Sequence, residues 1–293
     1  MKKISILLPY KENFTPKYAG AVSLLVKDIS IKSKYKKNIT VYGSTDYKER
    51  FKINYKNMFF KKFFFESGNI KYAENFLKLI EKNRSDLIEV HNRPAVFNHI
   101  IKKFPDKKVL IYFHNDPLTL RGSITTKQRE NIFKNSAAII FISEWAKKRF
   151  FKNLNCNTND EKVSVVYSSV NKKKFNKNKE KIILFVGKLN YSKGFDIFCK
   201  AITRILDEFP SWKCCVIGDE PRAQIEVEHK NLTKLGFLNH DKVLEYYRMV
   251  QFESFYNEYN NRQFYLSLHS YQHQEKGHQI DNHNYNILLL YHP

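Results

Sequence analysis

Residues 182–196 read IILFVGKLNYSKGFD, and the order of residue types in this stretch indicates the fold class. The apolar run from Ile182 to Val186 is typical of a strand buried on both faces, as strands of parallel sheets are. A glycine and a short polar turn with Lys188 and Lys193 follow, and an amphipathic helix then begins. The stretch therefore predicts a strand, a turn and a helix, the unit that repeats in α/β folds.

The same alternation extends in both directions along the chain. A first series of strand-like and helix-like segments runs from residue 4 to residue 167, and a second runs from residue 182 to about residue 250. Each series predicts a parallel sheet covered by helices. The predicted strands are 4–8, 39–42, 86–90, 109–113, 137–143, 162–167, 182–186, 213–217 and 235–238, and the main predicted helices are 21–29, 69–83, 194–209 and 241–250.

A polar, lysine-rich segment separates the two series. Residues 171–181 read NKKKFNKNKEK, which is typical of an interdomain linker. The sequence thus predicts two tandem Rossmann-like domains of the α/β class: an N-terminal domain of residues 1–170 and a C-terminal domain of residues 182–250. The second domain is predicted to be incomplete, and residues 251–293 form an atypical tail.

The composition excludes a chain that is disordered throughout. The 293 residues exceed the usual size of one domain, and 42% of them are hydrophobic. The formal charge of +22 suggests an anionic partner such as nucleic acid, an anionic lipid surface or a phosphorylated substrate. Because the lysines are scattered along the chain, biased AT-rich coding is an equally good source of most of this charge.

The cysteines and the N-terminus favour a cytoplasmic protein. The four cysteines show no CxxC spacing, so neither a disulfide framework nor a zinc site is indicated. The N-terminal run at 4–8 has no small-residue cleavage site behind it, which predicts a first strand and not a signal peptide. No segment approaches the roughly 20 apolar residues of a transmembrane helix.

Side chains capable of chemistry follow several predicted strands. Strand 86–90 runs into HNRP at 91–94, and strand 109–113 runs into HNDP at 114–117. Open α/β sheets bind ligands beyond the carboxyl ends of their strands, so two polar clusters at one edge predict a site. Either histidine taken alone is more typical of a structural residue.

Two glycines and two lysines suggest phosphate binding. Gly20 precedes the predicted helix 21–29 and would let backbone amides approach a phosphate, although a simple turn is the commoner role of such a glycine. Amides around Gly187 and the ammonium groups of Lys188 and Lys193 could hold a diphosphate. Solvated surface lysines in a lysine-rich chain are the alternative interpretation.

The stretch FVGKLNYSKGFD resembles the G-[RK]-L-x-x-x-K-G element of retaining glycosyltransferases of the GT-B fold, in particular family 4. The stretches DLIEVHNRP, YFHNDP, AAIIFISEWAKKRF, VVYSSVN and VIGDEP are similar to that family in order and interval. The resemblance covers about residues 1–250. It implies two Rossmann-like domains and a transferase that uses a nucleotide-diphosphate sugar. By this resemblance, Gly20, Gly187, Lys188 and Lys193 lie at the donor diphosphate, His114 stands beside the transferred sugar as the catalytic residue, and His91, Arg93 and Asn115 line the acceptor side.

The resemblance also implies how the reaction proceeds. The anomeric configuration is retained, and the leaving diphosphate takes the acceptor proton, so no dedicated protein base is needed. No cofactor is implied, and no metal, since the sequence has no DxD stretch. The expected acceptor is a cell-envelope glycan or a lipid-linked glycan, as in lipopolysaccharide biosynthesis. Peripheral contact with the inner face of the cytoplasmic membrane is expected from the positive charge.

The tail departs from the family. Members continue with a paired-glutamate element (E-x7-E) and further βα units, whereas residues 251–293 hold half of the ten histidines, and Glu253 and Glu258 have the wrong spacing. We interpret this as a truncation or a broken reading frame near residue 251, with impaired activity. A variant domain and a histidine-rich metal segment, with His269 and His273 four residues apart, are the alternatives.

Three other classes of protein are alternatives to the transferase. A nucleic-acid-binding protein should show clustered basic residues with exposed aromatic residues between them, and the aromatic residues here fall on strand and helix faces. A dinucleotide-dependent oxidoreductase should show G-x-G-x-x-G after a strand, which the sequence lacks. A non-catalytic nucleotide- or carbohydrate-binding remnant of a transferase is the main rival.

Overall fold

The computed structural model describes residues 2–59, 67–168, 179–220, 225–257 and 263–268. For residues 251–257 and 263–268 it describes the backbone only. The chain divides into two compact units, Met1–Asn171 and Lys172–Pro293. The division falls at the start of the predicted linker 171–181, of which residues 171–178 lie outside the described residues. Each unit is an α/β structure, as the alternation of segments predicts.

The N-terminal unit contains one parallel sheet with helices between its strands. The helices are α1 (Ala21–Lys32), α2 (Gly68–Asn83), α3 (Pro94–Lys103), α4 (Thr126–Asn135) and α5 (Glu144–Phe151). The strands are β1 (Ile4–Leu7), β2 (Ile39–Gly43), β3 (Tyr55–Asn57), β4 (Leu87–His91), β5 (Lys108–Phe113), β6 (Ala138–Phe141) and β7 (Val163–Val165).

The strand order in this sheet is β3-β2-β1-β4-β5-β6-β7, and every described pair is parallel. The chain winds outward in one direction through β2 and β3 and then returns to place β4 beside β1. The connection after β1 therefore crosses one face of the sheet, and the connection after β4 crosses the other face. This divergence opens a crevice at the carboxyl ends of β1 and β4. Any site of this unit is expected at that edge.

Alternate residues of β1 enter two separate cores, because successive side chains of a strand point to opposite faces of the sheet. Leu7 packs in the core with Tyr72 and Phe76 of α2. Ile6 belongs to the other core, which also holds Val26 of α1. Burial on both faces explains why the strands of this unit read as nearly continuous apolar runs.

The C-terminal unit contains a five-stranded sheet among its described residues, with the order β10-β9-β8-β11-β12. Its strands are β8 (Glu180–Val186), β9 (Lys213–Ile217), β10 (Leu232–Gly236), β11 (Val250–Asn257) and β12 (Gln263–Leu268), and its helices are α6 (Phe195–Glu208) and α7 (His240–Met249). The pairs are parallel except for β11 with β12.

Two strands of this sheet correct the expectation from the sequence. The sequence predicts a domain that ends at residue 250, yet β11 begins at Val250 and pairs with β8, and β12 continues the sheet. Residues 250–253 read VQFE, in which apolar and polar residues alternate as in a strand, and Phe255 and Tyr256 are aromatic residues of the kind that strands favour. The rest of the predicted tail, at 258–262 and 269–293, lies outside the described residues.

Helix α6 buries an apolar face, as expected for the amphipathic helix 194–209 predicted from the sequence. Phe195, Phe198 and Ile202 are at most 1% exposed and pack on the sheet. Phe209, the last residue of the predicted helix, is instead 49% exposed. The helix ends one residue earlier, at Glu208, so Phe209 no longer follows the helical spacing.

Candidate functional site

Two histidines meet at the carboxyl ends of β4 and β5. His91 is the last residue of β4, and His114 directly follows β5. The two strands are neighbours in parallel register, with His91 beside Tyr112. The Nδ1 atom of His91 lies 2.8 Å from Nε2 of His114, and the two rings are stacked. The predicted clusters therefore open at the same edge of one sheet.

The second ring nitrogen of His91 contacts a carboxylate. Nε2 of His91 lies 2.6 Å from Oε1 of Glu89, two residues earlier in β4. The His91 side chain has no exposed surface, and the Tyr112 ring stacks on it with centroids 4.7 Å apart. Both ring nitrogens of His91 are thus engaged within the protein, and its predicted place on the acceptor side stays a prediction.

Asn92 holds the backbone of His114 in place. Its amide donates to the carbonyl of Tyr112 at 2.8 Å, and its Oδ1 accepts from the backbone amide of His114 at 3.2 Å. Asn92 has a φ of 54°, a left-handed conformation that asparagine tolerates better than most residues. Asn92 of the HNRP cluster thus fixes the backbone position of His114 of the HNDP cluster.

His114 is a neutral ring in this environment. Burial, together with the adjacent His91, lowers the pKa of His114 to about 3. Its side chain is half-buried, and Nδ1 has no hydrogen-bond partner among the described residues, while Nε2 contacts His91. Asn115, predicted on the acceptor side, is exposed next to it. These two residues therefore present polar groups at the sheet edge.

Arg93 and Gly20 lie near a carboxylate that the sequence reasoning missed. Oε1 of Glu12 accepts a hydrogen bond of 3.1 Å from the backbone amide of Ser23, in the first turn of α1. A Cβ atom on Gly20 would overlap this carboxylate. Burial lowers the pKa of Arg93, and the charge of Glu12 opposes that shift. Glu12 thus occupies the place at the helix N-terminus where the sequence predicts a phosphate.

The C-terminal unit presents Gly187, Lys188 and Lys193 at the carboxyl end of β8, which lies in the middle of its sheet. The amide of Gly187 donates to the carbonyl of Ile217 at 3.0 Å, which joins the ends of β8 and β9. Gly218 has a φ of 138°, and a Cβ atom there would overlap the carbonyl of Gly187. The close approach of these two loops requires glycine at 218.

The two predicted donor lysines are accessible. The side chain of Lys188 is 64% exposed, and its Nζ lies 4.0 Å from Oε2 of Glu220, whose side chain is 7% exposed. Lys193 is exposed and ends a short 3-10 turn, where its amide donates to Oδ1 of Asn190 at 3.2 Å. Both ammonium groups can therefore reach a ligand in solution.

The structure brings the predicted residues together in two groups, one in each unit. In the N-terminal unit, Arg93 and His114 lie at the sheet edge near the β1–β4 crevice. Gly20 is the N-cap residue of α1, the helix that follows β1 in the chain. Sequence reasoning missed Glu12, Glu89 and Glu220. Glu89 had a usable signal, because a charged residue inside the apolar strand LIEVH calls for a buried partner.

The second group of predicted residues, Gly187, Lys188 and Lys193, lies in a segment that is similar to a known family. Residues 168–253 match the family of glycosyl transferases group 1. This segment contains β8, the turn with both lysines and the loop with Glu220. Residues 168–253 are therefore similar to glycosyl transferases group 1, the type of protein that the resemblance of FVGKLNYSKGFD implied.

Curated relatives and a solved structure are also similar to this chain. The chain is 25% identical over 194 residues to spore coat protein SA of Bacillus subtilis, covering 59% of this chain and 51% of that protein. It is 25% identical over 166 residues to the putative glycosyltransferase YtcC of the same organism, covering 50% and 40%. The chain thus spans about half or less of the length of these relatives.

The crystal structure of Anabaena Alr3699/HepE in complex with UDP and glucose matches with a TM-score of 0.56 at 14% identity, covering 81% of this chain and 70% of that one.

The solved structure shows a shared fold of the GT-B type, which confirms the predicted α/β class with two Rossmann-like domains. Within the described part of the chain, no helix combines the length and apolar character needed to cross a membrane. Among the same residues, no three His, Cys, Asp or Glu side chains are grouped as metal ligands would be. The predicted independence from metal stays a prediction.

Proposed function

We propose that this protein is a glycosyltransferase that moves a sugar from a nucleotide-diphosphate sugar to a hydroxyl acceptor with retention of configuration. One observation carries the proposal. Gly187 and Lys188 directly follow the central strand β8 within the segment that matches glycosyl transferases group 1, and Lys193 lies in the exposed turn after them. Ligands of such sheets bind at this edge.

The two lysines supply the charge that a diphosphate needs. Each charge-assisted contact to a phosphate contributes about 1.5–3 kcal/mol, and a lysine ammonium adapts to several phosphate positions. The nearby Glu220 carboxylate would hold Lys188 before the donor binds. A uridine nucleotide is the first donor to test, because the Anabaena structure of the same fold is a complex with UDP and glucose.

In the proposed reaction the bond between the anomeric carbon and the diphosphate oxygen breaks. A bond from the acceptor oxygen forms on the same face of the sugar, and the acceptor proton passes to the departing diphosphate. The lysines stabilise the negative charge of that leaving group, which is the main electrostatic requirement of the step. His114 lies at the sugar and orients it, while Arg93 and Asn115 lie on the acceptor side. No metal and no cofactor takes part.

The proposed acceptor is a cell-envelope glycan or a lipid-linked glycan at the inner face of the cytoplasmic membrane. The formal charge of +22 supports contact with an anionic leaflet, which gains about 1 kcal/mol for each lysine near its surface. Sedimentation with anionic vesicles should fall as salt is raised. Equal binding to neutral and anionic vesicles at low salt would contradict this part of the proposal.

A second candidate is a protein that binds a nucleotide or a glycan without turnover. It is favoured by the sequence after residue 250, which has no two glutamates eight residues apart. Without a paired-glutamate element, the leaving group of the donor is less well oriented, which lowers the rate more than the affinity. This candidate predicts nucleotide binding and no transfer.

The experiment combines binding with turnover. Isothermal titration should show binding of UDP or GDP, and the double substitution Lys188→Ala with Lys193→Ala should weaken it at least tenfold. Lys200→Ala is the matched control, because Lys200 is an exposed lysine on the neighbouring helix α6. Turnover of a nucleotide sugar with a retained anomer supports the transferase. Binding without turnover supports the second candidate, and no binding by the parent protein contradicts both.

A further inference from the structure

Glu89, His91 and His114 form a linear chain of hydrogen-bonding groups that runs outward from the sheet. The carboxylate lies 2.6 Å from one nitrogen of His91, and the other nitrogen lies 2.8 Å from Nε2 of His114. His91 has no exposed side-chain surface, whereas Glu89 is 12% exposed and His114 is half-buried. The inner two members are thus shielded, and the outermost one faces the site edge.

The order of donors and acceptors along this chain follows from the carboxylate. An ionised carboxylate can only accept, so Nε2 of His91 must carry a proton and donate to Glu89. When His91 is in its neutral form, the other nitrogen is bare, so that Nδ1 of His91 accepts from Nε2–H of His114. The remaining nitrogen of a neutral His114 ring, Nδ1, then has a free lone pair.

We propose that Glu89 and His91 are positioning residues that fix the tautomer of His114, so that His114 Nδ1 accepts a hydrogen bond from a hydroxyl of the bound sugar or acceptor. The identity of that hydroxyl rests on the proposed function. The direction of the hydrogen bonds does not, because it follows from three side chains of the N-terminal unit.

Neighbouring groups support this arrangement. Tyr112 stacks on both histidine rings and lies nearly parallel to them, with interplanar angles of 5° and 10°. The Asn92 side chain holds the His114 backbone. Burial is the main cause that lowers the pKa of His114 to about 3, so the ring stays neutral near pH 7 and one of its two nitrogens is bare.

The test is nuclear magnetic resonance of the full chain with 15N-labelled histidine rings. The signals of His114 are assigned by their loss in His114→Gln. In the parent protein we expect the shift of a protonated nitrogen at His114 Nε2 and that of a bare nitrogen at Nδ1. A protonated Nδ1 in the parent would overturn the proposal without any variant of Glu89.

Glu89→Gln then tests the role of the carboxylate. The glutamine amide can donate to His91 Nε2, which permits the reversed order and places a proton on His114 Nδ1. We expect this tautomer to become populated in the variant. Glu81→Gln is the control, since Glu81 is an exposed glutamate of α2, and it should leave the His114 signals unchanged. Unchanged His114 signals in a folded Glu89→Gln protein would overturn the proposal.

Kinetics separate this inference from the proposed function. If the parent transfers sugar, Glu89→Gln should lower kcat about tenfold or more and leave KM within about twofold, since binding contacts are retained. An equal change in Glu81→Gln would show a general charge effect and would overturn the assigned role. If the parent shows no turnover, the proposed function fails while the tautomer measurement still decides the inference.

Discussion

The Asp116 carboxylate binds the Arg149 guanidinium with both of its oxygens. Nε of Arg149 lies 3.1 Å from Oδ1 and 3.1 Å from Oδ2, and Nη2 lies 2.7 Å from Oδ2. The pair joins the loop that follows β5 to helix α5, so it fixes the loop that carries His114. The third residue of the HNDP cluster is therefore a structural support for the first.

Arg149→Ala should destabilise the N-terminal unit. The substitution leaves Asp116 partly buried without its bidentate partner, and we expect the free energy of unfolding to fall by about 1–2 kcal/mol. The value is at the low end because a third of the Arg149 side chain is exposed, where solvent screens the pair. Urea denaturation measures the change. Lys148→Ala, at an exposed neighbour on the same helix, should stay within about 0.5 kcal/mol, and equal losses in both variants would contradict the assignment.

The Asp116 pair should also give stability a particular pH dependence. Burial opposes ionisation of Asp116, but hydrogen bonds from Arg149 and from the Leu118 amide outweigh it and hold the pKa of Asp116 below its ordinary value. The stabilisation is complete above the unfolded pKa of about 3.9 and is lost as pH falls through the lower folded pKa. The stability difference between the parent and Asp116→Asn should therefore shrink as pH falls from about 6 to 3. A difference that is constant or grows towards acid pH would contradict this prediction.

Gly218→Ala should disrupt the loop packing beside Lys188. An alanine Cβ would overlap the carbonyl of Gly187, and the φ of 138° adds backbone strain. We expect a loss of more than about 2 kcal/mol in unfolding free energy and weaker binding of UDP. Gly236→Ala is the matched control: Gly236 has a φ of 67° with open space around its Cβ position, so only about 1–2 kcal/mol of strain is expected. Equal effects of the two substitutions would show that the contact with Gly187 does not matter.

Two cysteines of the C-terminal unit should react only after unfolding. Burial raises the pKa of the Cys199 thiol to about 11 and raises that of Cys214 as well, and their residues are 8% and 1% exposed. Since the thiolate is the reactive form, iodoacetamide at pH 8 should label neither in the folded protein and both in urea. Mass spectrometry of peptides measures the labelling, with the half-buried Cys156 as the internal reference. Labelling of Cys214 at the unfolded rate in native buffer would contradict its burial.

The strands with continuous apolar runs were predicted to within one or two residues. Examples are 109–113 for β5 and 213–217 for β9. Burial on both faces selects apolar residues along the whole strand, so the pattern is strong. The short helices α4 and α5, of 10 and 8 residues, carry only two or three buried residues each, and periodicity did not locate them. Their caps were readable, since Thr125 and Gln128 form a capping box and Ser143 accepts from the amide of Ala146.

The candidate site was predicted in its location more reliably than in its roles. The strand-end rule placed His91 and His114 at one edge, because the carboxyl ends of parallel neighbours must coincide. The rule could not tell which ring is buried, since this depends on Glu89 and on the stacking of Tyr112 across the sheet. Nor could sequence spacing show that Glu12 folds back on the start of α1, because a loop conformation determines that contact.

The pairing of β11 with β8 has a consequence for shortened versions of the protein. In the sheet β8 lies between β9 and β11, so a chain cut at residue 250 loses one complete row of backbone partners along its central strand. β8 would then be an edge strand, and an exposed edge strand is a template for strand addition by another molecule. Such a fragment should self-associate even though it retains both donor lysines. In the full chain, β11 covers the edge of β8 and so prevents this association.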